Sequence, residues 1–437
     1  MILRQPPWRN WARTESVRPV RVERPATVGA VQRSVRAAIR AGLRIKAVGT
    51  GHSFTGIAVA PGVQLDLYDL GGLIEIDVPA ARVTVAAGLP LHRLGRLLDD
   101  HGLALANLGD IDRQTVAGAI STGTHGTGGG FVGLASQVTG LTLVTADGTL
   151  LRVSDTENTE ILPAVRLGLG ALGIIVDVTI QCVPRFQLHS DQRSEPLDAV
   201  LEDFVRRSRT HDHFEFFWFP HTDTALTKTN TRVVEPRPAA RAHRVSRWID
   251  NELLANGVYR GVCAVGTALP ALVPSLARLS ARSTGNRQFT DASTRVFATN
   301  RAVRFREMEY ALPRDRVPEA VRAVRRFIEA RGWRISFPIE VRSAAADDLW
   351  LSPAYGRDTG YVSVHRYVRE DPEEYFRAVE QIMIGYGGRP HWGKLHYQKA
   401  DALRGRYPHF DDFLAVRDRL DPERRFTNSY LERVLGP

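Results

Sequence analysis

The segment FPIEVR, residues 337–342, contains two charged side chains that could do chemistry. In a strand, alternation puts Phe337, Ile339 and Val341 on one face, and Glu340 and Arg342 on the other. The two charged residues are then about 6.6 Å apart along the strand. A guanidinium and a carboxylate presented to one side could stabilise charge that develops during a reaction. A surface ion pair is the alternative, but the apolar neighbours favour a site.

A second alternating segment is GYVSVHRY, residues 360–367. One face of this strand would carry Tyr361, Ser363, His365 and Tyr367, as the wall of a polar cavity requires. We predict that His365 accepts a proton, while a core or surface histidine is the alternative. The segment HWGK adds Lys394, one of four lysines in the chain. Its flexible ammonium could bind a substrate oxygen or the edge of a bound cofactor ring.

Two glycine-rich segments could bind phosphate groups. They are VGTGHSF at residues 48–54, which follows a predicted strand, and AGAISTGTHGTG at residues 117–128. Glycine has no Cβ, so backbone N–H groups in both segments can approach a pyrophosphate closely. Two such loops suit a dinucleotide, whereas an ordinary tight or flexible loop is the alternative for each.

A nicotinamide-binding Rossmann domain is a further hypothesis, because Gly168, Gly170 and Gly173 have the G-x-G-x-x-G spacing. In that fold the glycines follow a strand and open a helix. Here a helix-like segment precedes the glycines and a strand follows them. This order disfavours a nicotinamide dehydrogenase.

The elements that position these residues are predicted to form two α+β halves. In the first half, apolar periodicity predicts a helix over 27–41, with Thr27 as N-cap and Gly42 as terminator. The other predictions for this half are strands over 44–48, 63–67, 74–77, 83–87 and 174–183, a helix over 91–101 and a hairpin turn at 147–148. The predictions for the second half are strands over 213–219, 304–312, 334–342 and 360–367, helices over 317–330 and 374–384, and a helical or irregular insertion over 236–286.

The composition excludes several classes of protein. A chain of 437 residues predicts two or three domains. The net charge of +10 is spread along the chain and comes almost entirely from arginine, which disfavours nucleic-acid binding. Cys182 and Cys263 are predicted to be buried thiols in a reducing compartment. The first residues lack a secretory signal, and residues 261–277 are too short to span a bilayer, so we expect a cytoplasmic protein without a transmembrane anchor. Peripheral membrane contact stays open.

Eight motifs, spread over nearly the whole chain, resemble those of the aldonolactone oxidoreductases of the vanillyl-alcohol-oxidase superfamily. They are VGTGHSFTGIAV, TVAGAISTGTHGTG, LGALGIIVDVTI, DHFEFFWFP, FPIEVR, AYGRDTGY, GRPHWGKLHY and LDPERRFTNSYL. This group includes L-gulono-1,4-lactone and D-arabinono-1,4-lactone oxidases, L-gulono-1,4-lactone dehydrogenases and the related alditol oxidases. The resemblance implies a two-domain α+β flavoprotein with an FAD-binding domain over 14–184 and a substrate or cap domain over 185–388. It also implies that residues 389–437 return to the FAD domain.

The resemblance implies roles for individual residues. His52 would bond covalently to the 8α-methyl carbon of FAD. Further cofactor-binding residues would be Gly49, Thr50, Gly51, Ser53, Thr115, Gly118, Thr122, Gly123, Thr124, His125, Ile175 and His391. Gly109 and Asp110 would form a gate beside the flavin, where a small residue admits oxygen.

The implied reaction is hydride transfer from C2 of an aldono-1,4-lactone, such as L-gulono-1,4-lactone, to flavin N5, giving an ascorbate-type product. The protein would position the substrate and provide the electrostatic field, while the cofactor accepts the hydride. The predicted catalytic residues are Glu340, Arg342, His365 and Lys394. An alditol oxidase that produces H2O2 is the alternative. The expected electron acceptor is O2 or a cytochrome- or dye-type molecule, and no metal is expected.

Overall fold

A computed structural model describes residues 7–233, 259–283, 286–299 and 303–437. Within these ranges the chain has the predicted α+β composition and two large hydrophobic cores, one for each half. The insertion predicted over 236–286 lies partly outside the described residues. Its described part contains the helices Tyr259–Ala268 and Val273–Ser283.

The first half contains a parallel three-stranded sheet and an antiparallel five-stranded sheet. The order in the three-stranded sheet is Arg21–Glu23, Val63–Asp66, Ile45–Val48. The order in the five-stranded sheet is Leu150–Ser154, Val138–Val144, Ile174–Gln181, Arg82–Ala86, Leu73–Asp77. Two short pairs, Trp8–Arg9 with Ser16–Val17 and Leu103–Ala104 with Val183–Pro184, accompany them. The helices of this half are Val28–Arg40, Leu91–Asp100, Val116–Ser121 and Leu162–Val165.

The described strands of the second half form one antiparallel eight-stranded sheet. Their order is Arg287–Ala292, Gln187–Pro196, Thr224–Val233, His213–Trp218, Ile339–Ala344, Thr359–Tyr367, Phe305–Pro313, Arg389–Pro390. Three long helices, Leu197–Thr210, Val317–Arg331 and Glu373–Gly385, pack against the apolar face of this sheet. The short helix Ser293–Phe297 follows the first strand in this order. The opposite face of the sheet carries the polar side chains described below.

Local signals explain why several elements begin and end where predicted. The helix Val28–Arg40 starts after Thr27, whose side chain accepts a hydrogen bond from the Ala30 N–H at 3.2 Å. Gly42, at φ 67°, follows its C-terminus. The hairpin predicted at residues 147–148 joins Val138–Val144 to Leu150–Ser154.

The strand predicted over 334–342 is wrong in its first half, because the observed strand is Ile339–Ala344. Pro338 has no backbone N–H for a sheet ladder, which is consistent with the strand starting only after it. The predicted alternation is confirmed within the strand. Ile339 and Val341 belong to the core beneath the helices, and Glu340 contacts Arg342 on the other face.

The C-terminal helices Ala400–Arg404, Phe410–Leu420 and Ser429–Leu435 pack into the core of the first half. Asn428 strengthens this contact, because its side-chain amide donates to the carbonyls of Gly56, Ile57 and Val59. The limits 14–184, 185–388 and 389–437 stay predictions. Cys182 and Cys263 are buried, as predicted. None of the described helices is long and apolar enough to cross a membrane.

Candidate active site

The loop 48–54 leaves the strand Ile45–Val48 and lines a cleft of about 880 Å³, which we call the glycine cleft. Gly51 turns the loop with φ 72°, a conformation that favours glycine. A Cβ on Gly49 would lie 2.6 Å from Thr115 Oγ1. The backbone of the loop thus packs against the side chain of Thr115, two residues before the second glycine-rich segment, too closely for a Cβ at residue 49. This close approach is what a cradle for phosphate groups requires.

Most of the predicted cofactor-binding residues meet in the glycine cleft. Those that line it are Gly49, Thr50, Gly51, His52, Ser53, Thr115, Gly118, Thr122 and Ile175. Buried Lys46, which sequence reasoning did not single out, also lines it and donates to the carbonyls of Gly170 and Phe426, each at 3.0 Å. A Cβ on Gly123 would contact Leu167, and Gly123 lines neither this cleft nor its neighbour.

His52 lies between the glycine cleft and a neighbouring cleft of about 590 Å³, which we call the charged cleft. His52, Ser53, Gln114 and Thr122 line both clefts, so the two spaces adjoin. Burial, together with smaller effects of Lys394 and Arg113, lowers the pKa of His52 to about 4. The imidazole is therefore neutral at pH 7, with a lone pair on one ring nitrogen. The Trp11 ring stacks on it at 6.0 Å between centroids.

The charged cleft brings predicted cofactor and catalytic residues together. Those that line it include Gly109, Asp110, Thr124, His125, Arg342, His391 and Lys394. A Cβ on Gly109 would lie 3.0 Å from the His125 carbonyl oxygen and 3.3 Å from Thr124 Cγ2. The small residue therefore provides room against the second glycine-rich segment.

Arg342 is buried among three carboxylates. It contacts Glu340, and its guanidinium lies 3.2 Å from Glu215 Oε2 and 3.3 Å from Asp110 Oδ2. Burial would lower the pKa of Arg342, but Glu340 and Asp110 hold it well above its usual range. Glu215 is itself held by Lys228, whose Nζ lies 3.0 Å away. Arg342 thus remains charged and is fixed from two sides.

Lys394 and His365 meet through a residue that the sequence reasoning missed. Lys394 Nζ donates to Glu307 Oε2 at 2.5 Å, and His365 Nε2 lies 3.6 Å from Glu307 Oε1. Burial would raise the pKa of Glu307, but Lys394 lowers it to about 2. His365 Nδ1 lies 3.0 Å from the Pro338 carbonyl, which can only accept, so Nδ1 carries a proton. His365 is not among the residues that line the charged cleft, and Glu307 lies between it and Lys394.

Glu215, Glu307 and Glu309 are the acidic residues that sequence reasoning missed. Glu307 and Glu309 alternate along the strand Phe305–Pro313 with apolar Met308 and Tyr310, which enter the helix-side core. The rule applied to FPIEVR could have found them. Glu215 alternates in the same way within HFEFFW. Alternation along a strand does not predict which of these strands are neighbours in the sheet.

The model of the D-arabinono-1,4-lactone oxidase family matches residues 178–434, and an FAD-binding domain model matches residues 19–154. The chain is 45% identical to an L-gulono-1,4-lactone dehydrogenase of Mycobacterium tuberculosis, over 99% of this chain and 100% of the relative. The chain belongs to the aldonolactone oxidoreductase family.

A second member of the family, L-gulonolactone oxidase of Bos taurus, is 34% identical over 98% of each chain. The solved structure of cholesterol oxidase from B. sterolicum superposes with a TM-score of 0.82 at 20% identity, covering 99% of this chain and 96% of that one. This likeness confirms the predicted flavoprotein fold of the vanillyl-alcohol-oxidase type. As a family member, the chain is an FAD-dependent oxidoreductase, and FAD is its cofactor.

Proposed function

We propose that this protein oxidises the C2 carbinol of an aldono-1,4-lactone such as L-gulono-1,4-lactone, giving an ascorbate-type product. The observation that carries the proposal is the junction of the two clefts at His52, Ser53, Gln114 and Thr122. A cradle for a dinucleotide there opens directly into a buried pocket of fixed charges. The relatives named for L-gulono-1,4-lactone support the choice of substrate.

The residues of the glycine cleft are proposed to hold FAD. Gly49 and Gly51 let the backbone approach the pyrophosphate, and Thr115 with Gly118 closes the opposite wall. Ile175 would contribute backbone atoms. When bound, FAD supplies the acceptor for the hydride.

His52 is proposed to carry the flavin covalently through the 8α-methyl carbon. Its low pKa supports this role, because only a neutral imidazole offers a lone pair for a new bond. The bound flavin should therefore remain with the precipitated polypeptide in acid, and His52→Ala should release it. Quantitative release of flavin from the wild type by acid would refute the covalent link while leaving the fold intact.

Arg342 and Lys394 are the proposed cations of the substrate side. Both line the charged cleft, and both are held by buried carboxylates that keep them charged and in place. They would bind the lactone oxygens and stabilise the negative charge that develops as the C–H bond breaks. Glu340 fixes the guanidinium of Arg342 but is not itself among the residues that line the charged cleft.

His365 remains the proposed final acceptor of the hydroxyl proton. Nδ1 carries its proton, and Nε2 lies 3.6 Å from Glu307 Oε1, too far for a hydrogen bond, so the Nε2 lone pair is available for a proton. Because Glu307 and Lys394 separate His365 from the cleft, the proton would reach it through these two side chains. This role predicts that His365→Asn slows the release of the proton more than the binding of the lactone.

The test is anaerobic mixing of the purified flavoprotein with matched lactones and alditols, followed by absorbance at the flavin band. L-Gulono-1,4-lactone and D-arabinono-1,4-lactone should bleach the flavin much faster than xylitol or sorbitol. Faster bleaching by the alditols would replace this proposal with an alditol oxidase. The proposed electron acceptors are O2 and a cytochrome- or dye-type molecule, and reoxidation in air against turnover with a dye separates them.

A further inference from the structure

The ring of His125 faces a hydrogen-bond acceptor at each nitrogen. Nδ1 lies 2.9 Å from the Gly126 carbonyl oxygen, and Nε2 lies 3.3 Å from Glu309 Oε1. A carbonyl oxygen cannot donate, so the proton in the first contact belongs to Nδ1. A neutral ring would then turn the lone pair of Nε2 toward a carboxylate. The pair therefore holds one further proton between Nε2 and Glu309.

The surroundings place this further proton on the histidine. The His125 ring stacks on the Tyr361 ring with centroids 3.5 Å apart and planes 16° apart, which favours a cation over the aromatic face. Glu309 Oε1 also accepts a hydrogen bond from Ser363 Oγ at 2.8 Å, which favours the carboxylate. Burial would raise the pKa of Glu309, but the charge of His125 holds it well below its usual range.

The two other histidines of the charged cleft are in a different state. His391 Nδ1 accepts a hydrogen bond from the Gly393 N–H at 3.0 Å, so this nitrogen carries no proton. Burial lowers the pKa of His391 to about 4, as it does for His52. His125 is thus the histidine lining this cleft whose two ring nitrogens both face acceptors, one of them a carboxylate.

We propose that His125 is a fixed imidazolium cation of the charged cleft, held in place by Glu309 and Tyr361. The second part of the proposal is that this cation stabilises the negative charge that reaches the cofactor during oxidation of the substrate. This effect on the cofactor rests on the proposed function, whereas the charge of His125 does not. His125 acts here as a charge and keeps both its protons, since transfer of a hydride brings two electrons and one proton and leaves one excess negative charge. Glu309 is then a positioning residue that acts through His125.

A bound metal ion is the competing explanation for the same geometry. His125, Glu309 and His391 each offer a ligand atom, and these atoms lie within 4.8 Å of one another. Two histidines and one carboxylate are a common ligand set for Fe(II) and Zn²⁺. A metal would take the place of the proton on Nε2 of His125, so the two explanations exclude each other.

The test is ¹⁵N NMR of the holoprotein labelled at histidine, between pH 6 and 9, with His125→Gln to assign the signal. The expected result is that both ring nitrogens of residue 125 carry protons at pH 7.5. Glu309→Gln should leave the ring neutral at that pH, whereas Ser363→Ala, which removes a hydrogen bond to Glu309 and no charge, should not. The charged and titratable groups around the ring, which the titration must account for, are Glu309, Tyr361, His391, Lys394, Arg342 and Asp110.

Two further measurements separate this proposal from the function. Glu309→Gln should lower the reduction potential of the flavin by about 30 mV for each tenfold loss in stabilisation of the two-electron reduced state. A neutral His125 in the wild type at pH 7.5, or one equivalent of metal in the purified protein, would overturn the proposal. Either result leaves lactone oxidation standing. If His125 is charged but no lactone reduces the flavin, the proposed function is wrong and the assignment of His125 as a cation stands.

Discussion

The two adjoining clefts are built on opposite plans. The glycine cleft presents backbone, small side chains and a neutral His52, and its walls come mainly from two short continuous segments of the first half. The charged cleft takes Glu309, Arg342, His391 and Lys394 from the second half, and its other walls come from the first half, including the second glycine-rich segment. Binding a dinucleotide needs close approach, whereas oxidising a carbinol needs fixed charge. The first half thus provides the glycine cleft, and the second half adds Glu309, Arg342 and Lys394 to a site that both halves line.

Because oxidation depends on fixed charge in the charged cleft, we expect replacement of Arg342 to have the largest effect on catalysis. Replacement of Arg342 by Met should slow anaerobic reduction of the flavin by roughly 100-fold or more, because it removes the cation that lies beside Glu340, Glu215 and Asp110. Stopped-flow absorbance measures this rate.

Arg366→Met is the matched control for Arg342. Arg366 lies on the neighbouring strand but pairs with Glu370 outside the charged cleft. The control should reduce at close to the wild-type rate with unchanged flavin content. If the flavin is reduced at the same rate in the wild type, Arg342→Met and Arg366→Met, then Glu340 and Arg342 form an ordinary ion pair without a catalytic role.

Glu215 should have a smaller effect, because it acts through Arg342. Glu215→Gln keeps the shape of the side chain but weakens its hold on the Arg342 Nε. We expect reduction to slow roughly tenfold, with a larger change in kcat than in KM, from misplacement of the guanidinium. Glu195→Gln alters a similar pair with Arg207 far from the cleft. If both variants reduce at the same rate, Glu215 has no positioning role.

Low pH should destabilise the folded protein, in part through a histidine buried where the two halves of the chain meet. His213 lies where they meet, with Nδ1 2.7 Å from the Thr127 carbonyl, and burial lowers its pKa to about 4. The unfolded chain therefore takes up this proton first, near pH 6.5, and the free energy of unfolding falls as pH drops from 6.5 to 4. Each such histidine contributes up to about 1.4 kcal/mol per pH unit.

His213→Asn should make this pH dependence shallower, as measured by urea unfolding at several pH values. Replacement of the exposed His101 by Asn should leave the slope unchanged. An identical slope in wild type and His213→Asn would show that residue 213 does not titrate with unfolding.

Gly109 should give the smallest effect. In Gly109→Ala the new methyl lies against the His125 carbonyl and Thr124 rather than in open space, so we expect a small shift of that segment. Reoxidation by O2 should slow about threefold and reduction by lactone less than twofold, because a methyl obstructs a small molecule in a packed channel most. If the wild type already reoxidises very slowly in air but turns over with a dye, Gly109 is not the gate.

How far the sequence could predict this arrangement differs between the clefts. His52 and the glycines around it lie in continuous motifs, so their spacing alone indicated a loop that binds phosphate. Alternation also predicted that Glu340 and Arg342 share a face. The partners Glu215 and Glu307 could not be assigned, because they depend on which strands pair. The order of strands follows from long-range packing that no local pattern contains.

We propose above all that the C2–H bond of a lactone breaks in the charged cleft. The most direct test is the rate of anaerobic flavin bleaching with L-gulono-1,4-lactone and with the same compound deuterated at C2. We expect a slower rate with deuterium at C2 and an unchanged rate with deuterium elsewhere on the ring. Bleaching at the same rate with both compounds, or no bleaching by the lactone at all, would contradict it.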